Sequence, residues 1–183
     1  MEIISVSNNL VKEYTKLQQK KYRTESGKFL LEGYKAIKEA HDYGIKLEHI
    51  FVNKKNLSEY DFAKEILIET NEVVLGKLST TESAPTAVAV GIQKQSKKDD
   101  FKNLKKVVLL EDIKDAGNLG TIIRSSVAFG VDGIVLYGDC IELYNPKCVR
   151  SSVGNLWKLP IIHINDFGDL NIFNKFERIA TLP

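Results

Sequence analysis

The chain lacks the features that identify disulfide-rich, metal-binding or membrane proteins. Its only two cysteines, Cys140 and Cys148, form no disulfide framework and lack metal-ligand spacing. No segment approaches the roughly 18 consecutive apolar residues of a membrane span. The N-terminal residues MEIISVSNNLVKEY lack the charged and then apolar order of a signal peptide. We therefore predict a cytoplasmic protein with free thiols, no bound metal and no membrane partner.

Three common metal-binding and nucleotide-binding motifs are also absent from the 183 residues. The three histidines have no partner at a useful spacing, so packing or exposure explains them better than catalysis; they are His41, His49 and His163. No His-Glu-x-x-His motif, Walker loop or G-x-G-x-x-G pattern occurs. If the chain has an activity, its chemistry has to come from other residues.

An excess of charge of one sign is missing as well, with 26 Lys and Arg against 24 Asp and Glu. A net charge of +2 does not by itself indicate a nucleic-acid partner. The N-terminal 28 residues nevertheless hold three acidic side chains and six basic ones, namely Lys12, Lys16, Lys20, Lys21, Arg23 and Lys28. Such a cluster is usually a solvated face, but it also suits a phosphate backbone.

Helical and strand patterns alternate along the first half of the chain. Ser7 or Asn8 is placed to cap a first helix. The later patterns predict a strand at 28–32, a helix from Gly33 to about Gly44, a strand at 50–53, a helix from Ser58 through Ile68, and strands at 73–75 and 87–92. The polar, aperiodic segment 93–103 is the best linker candidate. We therefore predict two domains, residues 1–95 and 104–183.

The pattern restarts after the predicted linker. It predicts strands at 107–110, 133–136, 159–164 and 178–181, and helices at 120–129, 146–152 and 167–176. Strands that alternate with helices over these lengths indicate an α/β fold with parallel βαβ units.

The segment 107–136 is the most informative part of the chain. An apolar strand ends at Glu111 and Asp112, and a Gly/Asn loop and an amphipathic helix follow. Open α/β sheets bind ligands at such places because the loop and the helix N-terminus present unpaired N–H groups. The helix places four polar side chains away from the sheet, Asn118, Thr121, Arg124 and Ser125. The alternative is a capped surface helix whose arginine is solvated or pairs with Asp112 or Asp115.

A second polar cluster follows at 145–160, NPKCVRSSVGNLWKLP. It combines Arg150, Ser151, Ser152 and two lysines with the indole of Trp157. Basic side chains interleaved with hydroxyls and an indole can hold a phosphodiester and stack a base. For Trp157 an anchoring role in a core or interface is the more common explanation.

These two segments resemble a known family. D-x-x-D-A-G-N-L-G-x-x-x-R followed by A-F-G, at residues 112–130, resembles the first signature of the SpoU/TrmH group of SPOUT-class RNA 2′-O-methyltransferases. V-R-S-S-V-G-N-L-W-K-L-P at 149–160 is similar to a second motif of that group. N-x-x-V-K, K-K-Y-R, G-K-F-L-L-E-G and T-x-S-A-P-T-A-V-A-V, within residues 8–90, resemble the small RNA-binding domain that precedes the catalytic domain in many members.

The resemblance implies a fold and an activity. It implies an L30e-like α/β domain followed by a parallel-sheet α/β-knot methyltransferase domain. Members transfer a methyl group from S-adenosylmethionine to a ribose 2′-hydroxyl of rRNA or tRNA, and they are homodimers with a C-terminal trefoil knot. By this resemblance the catalytic residues are Arg124 and Asn118, the cofactor-binding residue is Thr181, and the RNA-binding residues are Lys12, Lys20, Lys21, Arg23, Arg150 and Ser152.

Two departures from the family pattern affect what is expected of this chain. Ala116 stands where the family commonly has proline, which removes no functional group. The later G-N-E-x-x-G loop and S-L-N-V segment, which form the knot and most of the cofactor pocket, are absent. We therefore expect an N-terminal fragment of such an enzyme, inactive and weak in S-adenosylmethionine binding by itself. The alternatives are a non-catalytic RNA-binding protein derived from the family and an unrelated nucleotide-binding α/β protein.

Overall fold

The computed structural model describes residues 1–180 and places them around two β-sheets. The first sheet has the strand order β1-β4-β2-β3. Its strands are β1 (Lys28–Glu32), β2 (Leu47–Asn53), β3 (Leu67–Thr70) and β4 (Ala87–Ile92). β2 and β3 are parallel, whereas β4 is antiparallel to both β1 and β2. The helices of this half are α1 (Asn9–Thr15), α2 (Lys20–Ser26), α3 (Tyr34–Asp42) and α4 (Glu72–Leu78).

The second sheet is parallel throughout, in the order β5-β6-β7. Its strands are β5 (Val107–Glu111), β6 (Gly133–Tyr137) and β7 (Ile161–Ile164). Helix α5 (Ala116–Ala128) connects β5 to β6, and α6 (Pro146–Ser151) lies between β6 and β7. 3₁₀ segments occupy Lys16–Gln18, Lys98–Phe101, Phe167–Phe173 and Lys54–Ile66. The last of these is interrupted by non-helical backbone at Tyr60 and Ala63. The predicted α/β class is confirmed.

Several predicted elements are wrong. The segment expected as a helix from Ser58 through Ile68 is 3₁₀ up to Ile66 and then enters β3. The expected strand at 73–75 is part of α4, because the Asn71 side chain accepts the Val74 N–H at 2.9 Å and caps a helix there. A three-residue apolar run is too short to distinguish a strand from a helix. Residues 178–180 form no strand, and Thr181 lies outside the described residues.

The direction of β4 also differs from the expected parallel arrangement. Its antiparallel pairing inserts it between β1 and β2, so the first sheet is mixed. Residue composition does not encode strand direction, which depends on the path of the connections.

Successive side chains along the strands of the first sheet point to opposite faces and contribute to two separate cores. Leu30, Phe51 and Val88 face one side, with α1 and α4. Their neighbours face the other side and enter a central core, which contains Phe29, Leu31, Ile50, Val52, Ala87 and Ala89. The same central core holds residues of α5, α6 and β6, among them Leu119, Ile123, Cys148, Val149, Ile134 and Leu136. The two sheets therefore bury their faces against one shared core.

The segment 93–103 is held between the two halves. The Gln93 side-chain amide donates to the carbonyls of Arg23 and Lys28, at 3.1 and 3.2 Å. The Tyr144 hydroxyl donates to the Lys94 carbonyl at 2.6 Å and accepts the Lys94 N–H at 2.8 Å. We call the contacts between residues 1–92 and 105–164 the intersheet interface. The division into domains 1–95 and 104–183 stays a prediction.

Within residues 1–180, no helix has both the length and the apolar composition that a bilayer crossing requires.

Candidate RNA-modifying site

The loop after β5 is organised by Asp115, the N-cap residue of α5. Its carboxylate accepts the Asn118 N–H at 2.8 Å and the Lys147 ammonium at 2.8 Å. The Lys147 ammonium, and to a smaller extent the Asn118 N–H, hold the pKa of Asp115 below its usual value. Because Lys147 belongs to α6, this ion pair connects the N-termini of the two helices.

Helices α5 and α6 approach closely because α5 carries glycines on the contacting face. A Cβ atom at Gly120 would lie 2.0 Å from the Ser151 Oγ and 2.6 Å from the Cys148 carbonyl oxygen. A Cβ atom at Gly117 would lie 3.0 Å from the Lys147 Cε. The glycines of the D-A-G-N-L-G motif therefore have a packing role as well as a place in the loop.

Arg124 lies one turn beyond Gly120 on the same face of α5. Its side chain is exposed, and within residues 1–180 no carboxylate approaches its guanidinium to within 4.0 Å. The competing hypothesis that Arg124 pairs with Asp112 or Asp115 therefore finds no support in the described part of the chain. The guanidinium is open to an external anion.

Asn118 is exposed near the start of the same helix. Because six residues separate it from Arg124, the two side chains leave α5 in directions about 120° apart. In the part of the chain that the structure describes, no hydrogen bond joins them. The two predicted catalytic residues thus share a helix and are not in contact.

Asp112 and Asp139 form a second polar group after β5 and β6. Asp112 has a positive φ of 52° and its carboxylate accepts the Asp139 N–H at 2.7 Å. Lys114 donates to the Asp139 carboxylate at 2.6 Å, which is the main reason why the pKa of Asp139 is lowered. Lys20, a predicted RNA-binding residue, makes a smaller contribution to the same lowering of the Asp139 pKa.

Lys12, Lys20 and Lys21, predicted to bind RNA, all have exposed side chains. The Lys21 ammonium lies 5.8 Å from the ring centroid of Tyr22 and 4.0 Å from the Glu25 carboxylate. An exposed pair at that distance contributes little stability, so the ammonium remains open to a phosphate.

Two other predicted RNA-binding residues need correction, because they are buried. The Arg23 side chain is 2% exposed, and it donates to both carboxylate oxygens of Glu142 at 2.8 and 2.6 Å and to the Leu17 carbonyl at 2.7 Å. Ser152 is fully buried and its hydroxyl donates to the Val149 carbonyl at 2.7 Å. Arg23 is a link across the intersheet interface and Ser152 closes the end of α6, so neither presents a group to RNA.

Arg150 is partly exposed and is held in place. Its Nη1 donates to the Thr80 hydroxyl at 2.8 Å and lies 3.5 Å from a carboxylate oxygen of Glu32. Sequence reasoning did not identify Glu32, Thr80 or Glu142. Glu32 belongs to the G-K-F-L-L-E-G motif, but its partner is 118 residues away, so no local pattern predicts the contact.

The cysteines behave as predicted for free thiols. Both are buried, and burial, with a smaller contribution from the Glu142 carboxylate, raises the pKa of Cys148 to about 12. Within residues 1–180, no group of three or more His, Cys, Asp or Glu side chains is arranged to hold a metal ion.

Two cavities of the described residues lie away from α5. One, of about 440 Å³, is lined by parts of segment 94–104, by Tyr144 and by residues 156–161. The other, of about 250 Å³, lies between α1 and α2 beside Tyr22. Neither includes a residue of 111–128. Thr181, the predicted cofactor-binding residue, lies outside the described residues.

Two family models match this chain in the order that the motifs predict. The model described as the MRM3-like substrate binding domain matches residues 8–89. The model described as the SpoU rRNA Methylase family matches residues 105–182. Together they describe an RNA-modifying methyltransferase in which a substrate-binding part precedes the catalytic part.

Curated relatives agree with these matches. An uncharacterised tRNA/rRNA methyltransferase of Synechocystis sp. is 34% identical over 194 residues, covering 99% of this chain and 70% of that protein. The 23S rRNA (guanosine(2553)-2′-O)-methyltransferase RlmP of Bacillus subtilis is 30% identical, covering 90% of this chain and 65% of that protein. The chain thus belongs to the SpoU/TrmH family of rRNA methyltransferases, and the resemblance found in the sequence is confirmed.

Solved structures show the same architecture. An rRNA methyltransferase from Sinorhizobium meliloti matches 96% of this chain with a TM-score of 0.86 and 28% identity, and this chain covers 69% of it. The S-adenosylmethionine (AdoMet)-bound form of that protein matches with a TM-score of 0.84. The SpoU methyltransferase AviRb from Streptomyces viridochromogenes, also bound to AdoMet, matches with a TM-score of 0.77.

The chain spans 70%, 65% and 59% of the lengths of three curated relatives. We therefore state the activity, the substrate and the assembly of the whole protein as proposals.

Proposed function

We propose that this chain binds rRNA and positions a ribose for S-adenosylmethionine-dependent 2′-O-methylation, with Arg124 as the catalytic residue. The observation that carries the proposal is the exposed guanidinium of Arg124, without a carboxylate partner within residues 1–180, on the helix that follows β5. Family membership and the named rRNA methyltransferase relatives support it.

The reaction is a methyl transfer coupled to the loss of one proton. The ribose 2′-oxygen forms a bond to the methyl carbon, the sulfur–methyl bond breaks, and the hydroxyl proton leaves to a base. S-adenosylmethionine, when bound, supplies a methyl group on a sulfonium whose leaving group is a neutral thioether, so no metal is required. The protein has to orient the hydroxyl and stabilise the charge that develops on its oxygen.

Arg124 suits the second task. Its guanidinium stays protonated at neutral pH and offers a planar set of N–H donors to a phosphate or an alkoxide. We assign it to binding the phosphate beside the reacting ribose and to stabilising the developing oxyanion. A permanently charged arginine is a poor general base, so the proton acceptor is a different group. Asn118 remains a proposed member of the site that helps to organise the loop.

Weak S-adenosylmethionine binding by residues 1–183 alone stays a prediction, and so does the role of Thr181. We also propose a homodimer, which the family resemblance supports, and a cytoplasmic location, since rRNA is the proposed substrate. Lys12, Lys20, Lys21 and Arg150 are the proposed RNA contacts.

Arg124→Ala tests the proposal in the protein made from the complete reading frame. We expect incorporation of labelled methyl from S-adenosylmethionine into unmodified rRNA to fall on the order of 10²–10³-fold in kcat, as for loss of one oxyanion-stabilising group. Ribose methylation is verified by the resistance of the adjacent phosphodiester to alkali.

Lys106→Ala is the matched control. It removes an exposed cation at the other end of β5 and should leave the rate unchanged within about twofold. A rate of the Arg124→Ala variant equal to that of the control would remove Arg124 from the mechanism. A wild-type protein that binds rRNA and transfers no methyl would instead support the non-catalytic RNA-binding protein.

A further inference from the structure

Glu32, the last residue of β1, organises the loop between α4 and β4. Its side chain is 6% exposed. One carboxylate oxygen accepts the Ser79 hydroxyl at 2.9 Å, and the other accepts the Thr80 N–H at 3.1 Å and the Thr80 hydroxyl at 3.0 Å. Three donors from one loop thus satisfy a nearly buried carboxylate, which fixes that loop against β1.

Arg150 reaches the same group from α6, in the other half of the molecule. Its Nη1 donates to the Thr80 hydroxyl at 2.8 Å and lies 3.5 Å from Glu32. A guanidinium has five N–H donors. Within residues 1–180, the hydrogen bonds of Arg150 use only Nη1, so the donors on Nη2 and Nε are left for an external group.

The exposure of the two charged side chains determines which of them a ligand can contact. The Glu32 carboxylate points inward and is occupied by loop donors, whereas the Arg150 side chain is 36% exposed. The outward-facing charge is therefore the positive one. A guanidinium that is already held in one geometry loses less conformational entropy on binding, and its planar donors match two oxygens of a phosphodiester.

We propose that Glu32 is a positioning residue that holds Arg150 and Thr80 as one phosphodiester-binding site across the intersheet interface. The proposal rests on the proposed RNA substrate and deepens it. Both halves of the chain contribute to this site. The RNA backbone is therefore bound by two parts of the chain whose relative orientation is fixed.

The test is a double-mutant cycle on RNA affinity. Filter binding of the full chain to a radiolabelled 23S rRNA transcript is measured for the wild type, Glu32→Gln, Arg150→Ala and the double variant. At about 0.1 M salt we expect Arg150→Ala to weaken binding about tenfold and Glu32→Gln about three- to tenfold. Because Glu32 acts through Arg150, the double variant should bind no more weakly than Arg150→Ala.

The salt dependence separates this role from a general loss of structure. Arg150→Ala should reduce the magnitude of the slope of log affinity against log salt by the amount that corresponds to the loss of about one phosphate contact. Glu32→Gln should reduce it by a smaller amount. Glu39→Gln is the matched control, because Glu39 pairs with Lys158 at 3.1 Å across the same interface without touching Arg150. We expect its affinity and slope to equal those of the wild type.

Thr80→Val provides a second test if Glu32→Gln does not fold, since it removes one hydroxyl and keeps the branched shape. It should weaken RNA binding and show the same non-additivity with Arg150→Ala. Wild-type affinity in Arg150→Ala, or additive losses in the cycle, would overturn the composite site while RNA binding itself stands. A wild-type chain that does not retain the transcript at low salt would overturn the proposed RNA substrate and this site with it.

Discussion

Arg23, Arg124 and Arg150 carry the same guanidinium in three different environments. Arg23 is buried, and each of its three guanidinium nitrogens donates to Glu142 or to a carbonyl, so it holds the structure together. Arg124 is exposed without a carboxylate partner in the described residues, so it is open to substrate. Arg150 is intermediate, with one nitrogen engaged and the others open. Burial and partners, and not residue type, determine these roles.

The Asp115–Lys147 pair gives a residue-level prediction about pH. Because the pKa of Asp115 is lowered in the folded state, its contribution to stability is fully present above the unfolded value of about 3.9. That contribution is lost as the pH falls through the lowered folded value. Asp115→Asn should therefore have a lower Tm than the wild type at pH 7, and the difference should shrink as the pH falls below the unfolded pKa of Asp115.

Thermal unfolding followed by circular dichroism across pH 2–7 measures this difference. Asparagine is as good an N-cap as aspartate, so the variant isolates the charge. Lys147→Met removes the largest cause of the lowered pKa and should likewise flatten the pH profile. Parallel Tm profiles for the wild type and Asp115→Asn would show that the pair does not stabilise the loop.

At the scale of elements, the crossing of α5 and α6 depends on Gly120. An alanine Cβ there would meet the Ser151 hydroxyl and the backbone carbonyl of Cys148, and backbone cannot move aside cheaply. We expect Gly120→Ala to destabilise the protein by about 1–3 kcal/mol. Urea denaturation gives the difference in the free energy of unfolding.

Gly76→Ala is the control within the same chain. Gly76 lies in α4, and its new Cβ would make only an ordinary contact of 3.8 Å with Ala84. The gain in helix propensity should stabilise the protein by up to about 1 kcal/mol. Equal and stabilising effects at both glycines would mean that α5 and α6 do not pack as closely as described.

At the scale of the whole molecule, one core joins the two sheets. Arg23 and Glu142 also connect the two halves through a bidentate salt bridge, and their side chains are 2% and 16% exposed. Removal of one partner leaves a buried charge uncompensated. We therefore expect Glu142→Gln to cost about 2–4 kcal/mol in the free energy of unfolding.

Urea unfolding followed by Trp157 fluorescence and by far-ultraviolet circular dichroism tests this prediction. Because the core is shared, the two transitions should coincide in the wild type. Glu39→Gln, which breaks a partly exposed pair at the same interface, should cost less than about 1 kcal/mol. Two separated transitions in the wild type would show that the halves fold independently.

The predictions from sequence succeeded where a motif or a long pattern carried them. The strand–loop–helix–strand unit from Val107 to Leu136, the parallel second sheet and the family were all predicted from the sequence. The prediction for segment 73–75 failed because a short apolar run fits either periodicity, and local capping by Asn71 decided the outcome. The helix expected at 58–68 is instead 3₁₀ up to Ile66, with non-helical backbone at Tyr60 and Ala63. Ser152 and Arg23 lie in matching motifs, but a motif does not state which side chains become buried.

The sequence by itself determined the family, the α/β class and the choice of Arg124 as the candidate catalytic residue, because these depend on residue types at fixed local spacing. Only the tertiary structure decided that Arg23 is an internal link, that Glu32 holds Arg150, and that both sheets share one core. The physical reason is distance along the chain. Partners separated by more than a hundred residues are brought together by packing, which no local periodicity encodes.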